Sequence, residues 1–353
     1  MTWQVIEGDA LAVMASMPDN SVDLIATDPP YFKVKGEWWD RQWDNPAAFI
    51  DWMGQLAEQW ARILKPNGSL YVFASPRMAA RVEVKIGERF NVLNRVVWSK
   101  PPYSTKAEMN PKEWQRNWFP VAEYVIFAEH YGADNIAKGE AGYAAKCDEV
   151  RGFVFEPLRA YLDGERQRAG VSKVQVNEAW QRWKNSPGGG MASHWFSASQ
   201  WALPTQENYE WLRDVFANLN HGGEYLRRDY EDLRRDYEDL RRDYEDLRRD
   251  YEDLRRPFSV TADVPYTDVW TFKTVTAYPG KHPCEKPLPL MEHIVTASSR
   301  PGGVVLDCFC GSGSTGVAAR RLGRDFIGIE IDAKWAARAR ERIGTSQPAL
   351  VVA

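Results

Sequence analysis

Two short segments carry residue types that could do chemistry. The first is Asp28-Pro29-Pro30-Tyr31, directly after the apolar run 22–27. Its two prolines have fixed φ angles and lack backbone donors. What remains is a row of acceptors, the Asp28 carboxylate and the Pro29 carbonyl, which suits an NH₂ group. An exocyclic amine of a nucleobase is a poor nucleophile, because its lone pair is delocalised into the ring. Two acceptors on its hydrogens favour a tetrahedral nitrogen and free that lone pair. The Tyr31 ring could stack on the base. The second segment is Gly311-Ser312-Gly313-Ser314-Thr315-Gly316, with Glu330 nineteen residues after Gly311. Such glycines permit a tight turn and close backbone approach of a ligand, and the carboxylate can hold ribose hydroxyls. The spacing is that of a dinucleotide site, and an adenosyl ligand without a phosphate fits the same geometry. A nucleoside cofactor is indicated; NAD and S-adenosylmethionine both stay open at this point.

Both segments need strand ends to position them. Apolar runs at 3–6, 22–27, 69–74, 95–98, 124–128, 303–307 and 325–330 read as strands. Between them, helical spacing runs through Leu11, Met14 and Met17, then from Phe49 through Met53, Leu56 and Trp60 to Leu64, and again over 315–322 and 333–343. Pro66-Asn67-Gly68 is expected to break the second helix before the strand at 69. This alternation predicts an α/β fold with a doubly wound, mostly parallel sheet.

The middle of the chain differs. Ser186-Pro187-Gly188-Gly189-Gly190 reads as a flexible break, and Trp180, Trp183, Trp195, Trp201 and Trp211 suggest a small domain or a large insertion. From residue 230 the heptad Tyr-Glu-Asp-Leu-Arg-Arg-Asp repeats three times, with a truncated fourth copy ending at 256. Tyr230, Leu233, Tyr237, Leu240, Tyr244, Leu247, Tyr251 and Leu254 form one stripe at coiled-coil spacing. The Arg charges are expected to pair with acids along the helix, as Glu231 with Arg235. A solvated amphipathic spacer is the main reading, and a dimerising coiled coil the second. The expected organisation is a first core half at 1–130, an insertion at 131–264 with a long helix over 224–256, and a second core half at 265–353.

Composition sets the outer bounds. The 353 residues are 44% hydrophobic and 27% charged, which excludes a mainly disordered chain. No apolar run approaches the ~20 residues of a membrane span, and the N-terminal residues do not form a signal-peptide pattern. Four cysteines, without paired CxxC spacing, point to a reducing cytoplasm. Five scattered histidines show no metal-ligand spacing, so no metal is expected. The net charge of −4 argues against a nucleic-acid partner, yet residues 77–118 hold nine Lys/Arg against four acids. One basic face on an acidic protein is therefore possible.

In motif content and order the chain resembles the prokaryotic and phage DNA amino-methyltransferases of the permuted β class. The resemblance rests on Asp28-Pro29-Pro30-Tyr31 near the N-terminus and Asp307-Cys308-Phe309-Cys310-Gly311-Ser312-Gly313 near the C-terminus. Gly8-Asp9, Asn67-Gly68-Ser69 and His282-Pro283-Cys284-Glu285-Lys286-Pro287 fall in the family's order. It covers residues 1–130 and 265–345 and leaves 131–264 unplaced. Cys284 stands where the family usually has a small polar residue.

The resemblance implies S-adenosylmethionine as cofactor and double-stranded DNA as partner. Phe309, Gly311 and Gly313 would shape the cofactor pocket. Asp307 would hold the methionine end, Glu330 the ribose and Asp9 the adenine, while His282 and Lys286 would close the pocket. Asp28, Pro29, Pro30 and Tyr31 would hold a flipped base. Asp at position 28 is typical of adenine N6 transfer, where cytosine N4 enzymes more often carry Ser. The expected function is methyl transfer to adenine N6 in DNA, in the cytoplasm of a bacterium or from its phage. The alternatives are cytosine N4 transfer, an RNA or protein methyltransferase, and an NAD-dependent oxidoreductase. A homodimer and a cognate restriction nuclease are further expectations. Loop 32–45 could close over DNA, and target recognition would fall in 131–264 or in the basic 77–118 stretch.

Overall fold

A computed structural model describes residues 2–101, 118, 120–132, 143–185, 194–197, 201–219, 223–258 and 267–347. The chain divides into two compact units, Met1–Ala133 with Arg256–Ala353, and Asp134–Arg255. The break at 186–190 and part of the basic stretch, 102–117, lie outside the described residues.

The first unit is built on one eight-stranded sheet. In chain order the strands are β1 (Trp3–Glu7), β2 (Val22–Thr27), β3 (Leu64–Ala74), β4 (Phe90–Ser99), β5 (Ala122–His130), β6 (Val269–Thr271), β7 (Val304–Asp307) and β8 (Asp325–Glu330). Their order across the sheet is β1-β8-β7-β2-β3-β5-β4-β6. All pairings are parallel except those of β5 with β3 and β4. The sheet is thus mostly parallel and wrapped on both faces. Helices Ala10–Ala15, Pro46–Ile63 and Ala79–Gly87 pack on one face, and Leu288–Ser298, Ser314–Arg321 and Ala333–Thr345 on the other.

Strand alternation assigns side chains to the two layers. On β3, Leu70, Val72 and Ala74 join the first layer, while Tyr71 and Phe73 join the second. One expectation is corrected here. Pro66-Asn67-Gly68 does not separate helix from strand; the helix ends at Ile63 and β3 begins at Leu64. The segment is absorbed as an irregularity, since the β2–β3 register jumps from Val22–Leu64 to Leu24–Ser69. An Asp23–Lys65 ion pair spans the jump at 2.8 Å.

The second unit is helical: Tyr143–Val154, Glu156–Arg168, Lys173–Lys184, Gln206–Leu219 and Tyr230–Leu254. Its core joins Phe155, Leu158, Leu162, Val176, Trp201, Tyr209, Leu212 and Phe216. The heptad stripe packs onto this core over its first half. Leu233 and Tyr244 are buried, Tyr230, Tyr237 and Leu240 partly so, and Leu247 is exposed. The solvated-spacer reading therefore fits only the far end of the helix. Charge pairing along it runs mainly at three residues, as Glu238–Arg241 at 3.0 Å and Asp246–Arg249 at 3.0 Å. The side chains of 251–254 lie outside the described residues. Among the described residues, no helix is long and apolar enough to cross a membrane.

Candidate active site

Strands β2 and β7 are neighbours, but the chain leaves them in opposite directions across the sheet. β2 crosses through helix 46–63 to β3, and β7 crosses through helix 314–321 to β8. Doubly wound sheets bind ligands at such a switch point, beyond the carboxyl ends of the strands. Asp28 follows β2 and Asp307 ends β7, so the two halves of the sequence deliver a carboxylate each to one crevice. Thr27 Oγ1 donates to Asp307 Oδ1 at 3.0 Å and ties the strand ends together.

The crevice encloses about 1100 Å³, part of it open to solvent. Asp9, Asp28, Pro29, Pro30, Tyr31, His282, Lys286, Asp307, Phe309, Gly311 and Glu330 all line it. Gly313 does not; it lies behind the wall, where an added Cβ would come within 3.2 Å of Ala339. The other two glycines have separate tasks. Gly311 has φ +48°, and a Cβ there would meet the His282 ring at 3.1 Å. Gly316 lets its helix approach β8, since a Cβ would collide with Ile343 and Phe326.

Backbone donors set the carboxylates at this end. Glu330 accepts from Gly311 N at 2.8 Å and Asp332 N at 2.9 Å. Burial raises its pKa above the ordinary carboxylate value. Asp9 caps helix 10–15 by accepting from Ala12 N at 3.0 Å. Asp307 accepts from Thr27, from Thr315 Oγ1 at 2.5 Å and from Phe309 N at 3.2 Å. Burial still pushes it up to about 6. The fit to an adenosyl-methionine group follows from this donor set. Two carboxylates and a capping Asp line one cleft, and the guanidinium at the glycine turn, Arg342, is already held by Ser312 and by Glu285 at 3.0 Å each. His282 accepts from Cys284 N at 3.2 Å and lies against Trp335 and Trp39. Burial drops its pKa to about 4, so it is neutral at pH 7.

At the other end, Asp28 sits in a buried charge cluster. Its Oδ2 pairs with the Lys286 ammonium, while Oδ1 is buried without a hydrogen-bond partner. Lys286 also faces Glu123 at 3.6 Å. Glu123 pairs with Lys100 and accepts from the Tyr31 hydroxyl at 2.9 Å. Burial opposes ionisation of Glu123, yet Lys286 and Lys100 hold its carboxyl below the usual range. Asp28 is raised, chiefly by burial, with Lys286 working against the rise. Lys286 thus points at Asp28 rather than closing the glycine end.

Sequence reasoning missed Glu123, Lys100 and Asp40. Glu123 carries a signal, a lone acid heading the apolar run of β5. Asp40 carries none. It is fully buried, and its carboxylate accepts from Tyr31 N and Val34 N at 2.6 Å and from Lys35 N at 2.5 Å. These bonds hold a loop in which Phe32 and Lys33 both have positive φ. Such strain is held only where the surroundings over-determine it. In the same loop Trp43 is core, against Phe49 and Trp52, whereas Trp38 is exposed. Cys308 and Cys310 are buried, and burial pushes the Cys284 thiol up to about 11, so none offers a ready thiolate. Among the described residues, no cluster of potential metal ligands occurs.

Comparison with known proteins gives consistent findings. The profile of the N6_N4_Mtase family, described as DNA methylase, matches residues 22–341. The chain is 25% identical to the DNA adenine methyltransferase YhdJ of Escherichia coli K12 over 337 residues, which is 94% of this chain and 79% of that protein. It is 49% identical to the type II methyltransferase M2.DpnII of Streptococcus pneumoniae over 79 residues, 22% of this chain and 30% of that one. The solved PvuII DNA methyltransferase, described as cytosine-N4-specific, shares the fold at TM-score 0.52 and 14% identity, over 97% of this chain and 86% of the other.

Proposed function

The chain belongs to the N6_N4_Mtase family of DNA methylases, and from that premise we propose that it methylates the N6 amine of adenine in duplex DNA, with S-adenosylmethionine as methyl donor. The observation that carries this reading is Asp28 Oδ1, a buried acceptor without a partner at the switch point of the sheet. An unmet buried acceptor costs roughly 1–3 kcal/mol, and an amine N–H in the cleft would relieve that. The adenine preference is supported by Asp at position 28 and by the descriptions of YhdJ and its similarity over most of the chain. The permuted order, Asp-Pro-Pro-Tyr before the glycine turn, supports the β class.

Each residue then has a task. Asp28 Oδ1 and the Pro29 carbonyl accept the two amine hydrogens and turn the nitrogen lone pair outward. Pro30 keeps the turn rigid, and the Tyr31 ring, anchored through its hydroxyl on Glu123, stacks on the base. Flipping the base costs a few kcal/mol, and such stacking returns ~1–3 kcal/mol. Asp9, Glu330 and Asp307 take the adenine, ribose and methionine ends of the cofactor, along a wall made by Phe309 and Gly311, with Gly313 packed behind it. When bound, S-adenosylmethionine supplies a sulfonium methyl that is already activated, so direct in-line transfer needs no covalent enzyme species. The chain contributes alignment of the two reactants. Target recognition is assigned to the helical unit and loop 32–45 to DNA closure. A homodimer, a cognate restriction nuclease and a cytoplasmic location accord with this reading.

The test is incubation with S-adenosylmethionine and unmethylated bacterial DNA, digestion to nucleosides and mass spectrometry. N6-methyladenine is expected. N4-methylcytosine would correct the base, and no methylated nucleoside on any DNA would overturn the reading.

A further inference from the structure

Lys286 has no task in the reaction as described, yet its position is unusually constrained. Its ammonium bridges the carboxylates of Asp28 and Glu123. Three rings enclose it, with centroids at 5.2 Å for Tyr31, 4.9 Å for Phe73 and 5.9 Å for Trp98. Its side chain is only 8% exposed. Glu123 is itself held at both oxygens, by Lys100 on Oε1 and by the Tyr31 hydroxyl on Oε2. A buried ammonium needs such partners, because an uncompensated buried charge is strongly destabilising. The arrangement leaves Asp28 asymmetric. Oδ2 is taken by Lys286, and Oδ1 is free to accept.

We propose, resting on the amine-transfer reading above, that Lys286 is a positioning residue for methyl transfer: it holds Asp28 as a carboxylate through Oδ2 and so reserves Oδ1 as the acceptor of the substrate amine, while Glu123 and Lys100 hold Lys286. A carboxylic acid protonated on Oδ1 would donate toward the amine and be a far weaker acceptor of its hydrogen than the carboxylate. The groups that face Asp28 are Lys286, Glu123, Tyr31, Cys284 and Asp307. Burial raises the Asp28 carboxyl first; Glu123 adds to the rise, and Lys286 opposes it. Among the described residues, Lys286 is the cation paired with Asp28, and Lys35 lines the same cleft. Without Lys286, burial and Glu123 both push Asp28 toward the neutral acid.

The experiment uses Lys286→Met in the full chain, with two readouts. Methyl transfer to unmethylated bacterial DNA is measured against pH under single turnover. The variant should lose on the order of 100-fold at neutral pH and recover as pH rises, its acid limb moving up by about one to three pH units. Infrared difference spectra should show a protonated-carboxyl band at neutral pH that is absent from wild type and from Lys286→Met/Asp28→Asn. An unmoved pH profile, or equal loss at every pH with no such band, overturns the proposal. If Lys286→Met does not fold, Lys286→Met/Glu123→Gln removes the second buried anion and carries the same two readouts. If wild type methylates no DNA, the proposed function fails, and the infrared arm still decides whether Lys286 holds Asp28 ionised.

Discussion

At the residue scale, the carboxylates of the cleft differ by what holds them. Asp28 has one oxygen committed and one open. Asp28→Ala should therefore abolish transfer, by about 10²–10⁴-fold or more, while calorimetry with S-adenosylmethionine shows nearly unchanged binding. Transfer at the wild-type rate would remove Asp28 from the site. Asp307 makes a pH prediction. Its native carboxyl sits near 6, above the ordinary carboxylate value, because burial disfavours the anion. Protonation thus favours the native state at low pH, and that contribution is lost as pH rises through about 6. A cationic ligand group needs the anion, so cofactor affinity should fall as pH drops below about 6, and Asp307→Asn should flatten that dependence. Affinity independent of pH in wild type would count against Asp307. His282, dropped to about 4 by burial, titrates below the Asp307 inflection. Glu330→Ala should weaken cofactor affinity more than DNA affinity, measured by separate titrations; equal losses would place Glu330 elsewhere.

At the element scale, the strand ends do the aiming and one loop holds the aim. Three backbone donors converge on the Asp40 carboxylate. Asp40→Ala leaves them unpaired, at about 1–3 kcal/mol, in the loop that continues from Tyr31. Its thermal midpoint should drop, and transfer should drop further than stability explains. A rate unchanged at saturating DNA would mean that the loop does not position Tyr31. The heptad helix separates its two halves in the same way. Leu233→Ala removes a fully buried side chain and should cost about 2–5 kcal/mol, whereas Leu247→Ala, exposed, should stay within about 0.5 kcal/mol. Because the repeats are identical, deleting one heptad restores the same stripe on the core and should leave the chemistry intact. Thermal melts and the nucleoside assay check both statements.

At the scale of the whole molecule, the negative net charge and a DNA substrate are reconciled by distribution, but less simply than the count of cations implies. Within the described part of 77–118, Lys85, Arg89, Arg95 and Lys100 are ion-paired with Glu88, Glu58, Glu83 and Glu123. Arg77 and Arg81 are exposed and remain candidates for phosphate contact. Replacing either by Ala should lower the salt dependence of DNA binding by about one charge, read from affinity against salt concentration. No change in slope would move the backbone contact to another surface.

The sequence by itself determined the α/β alternation, the glycine turn with its distal acid and the Asp-Pro-Pro-Tyr acceptors, because period and residue chemistry are local properties. It did not determine that Asp28 and Asp307 share one crevice; the opposite crossovers from β2 and β7 did that. Nor did spacing reveal Glu123, Lys100, Asp40 or the true partner of Lys286. Glu123 lies 92 residues from Tyr31 and Lys286 lies 258 from Asp28; Lys100 is 23 from Glu123, at the end of the neighbouring strand, and Asp40 is close in sequence but dependent on a left-handed loop. The heptad periodicity announced a helix with one apolar stripe, and a stripe is silent about what covers it. Burial is a property of the packed chain, and here the unit's own aromatic core took the place that periodicity alone leaves open to solvent or to a partner.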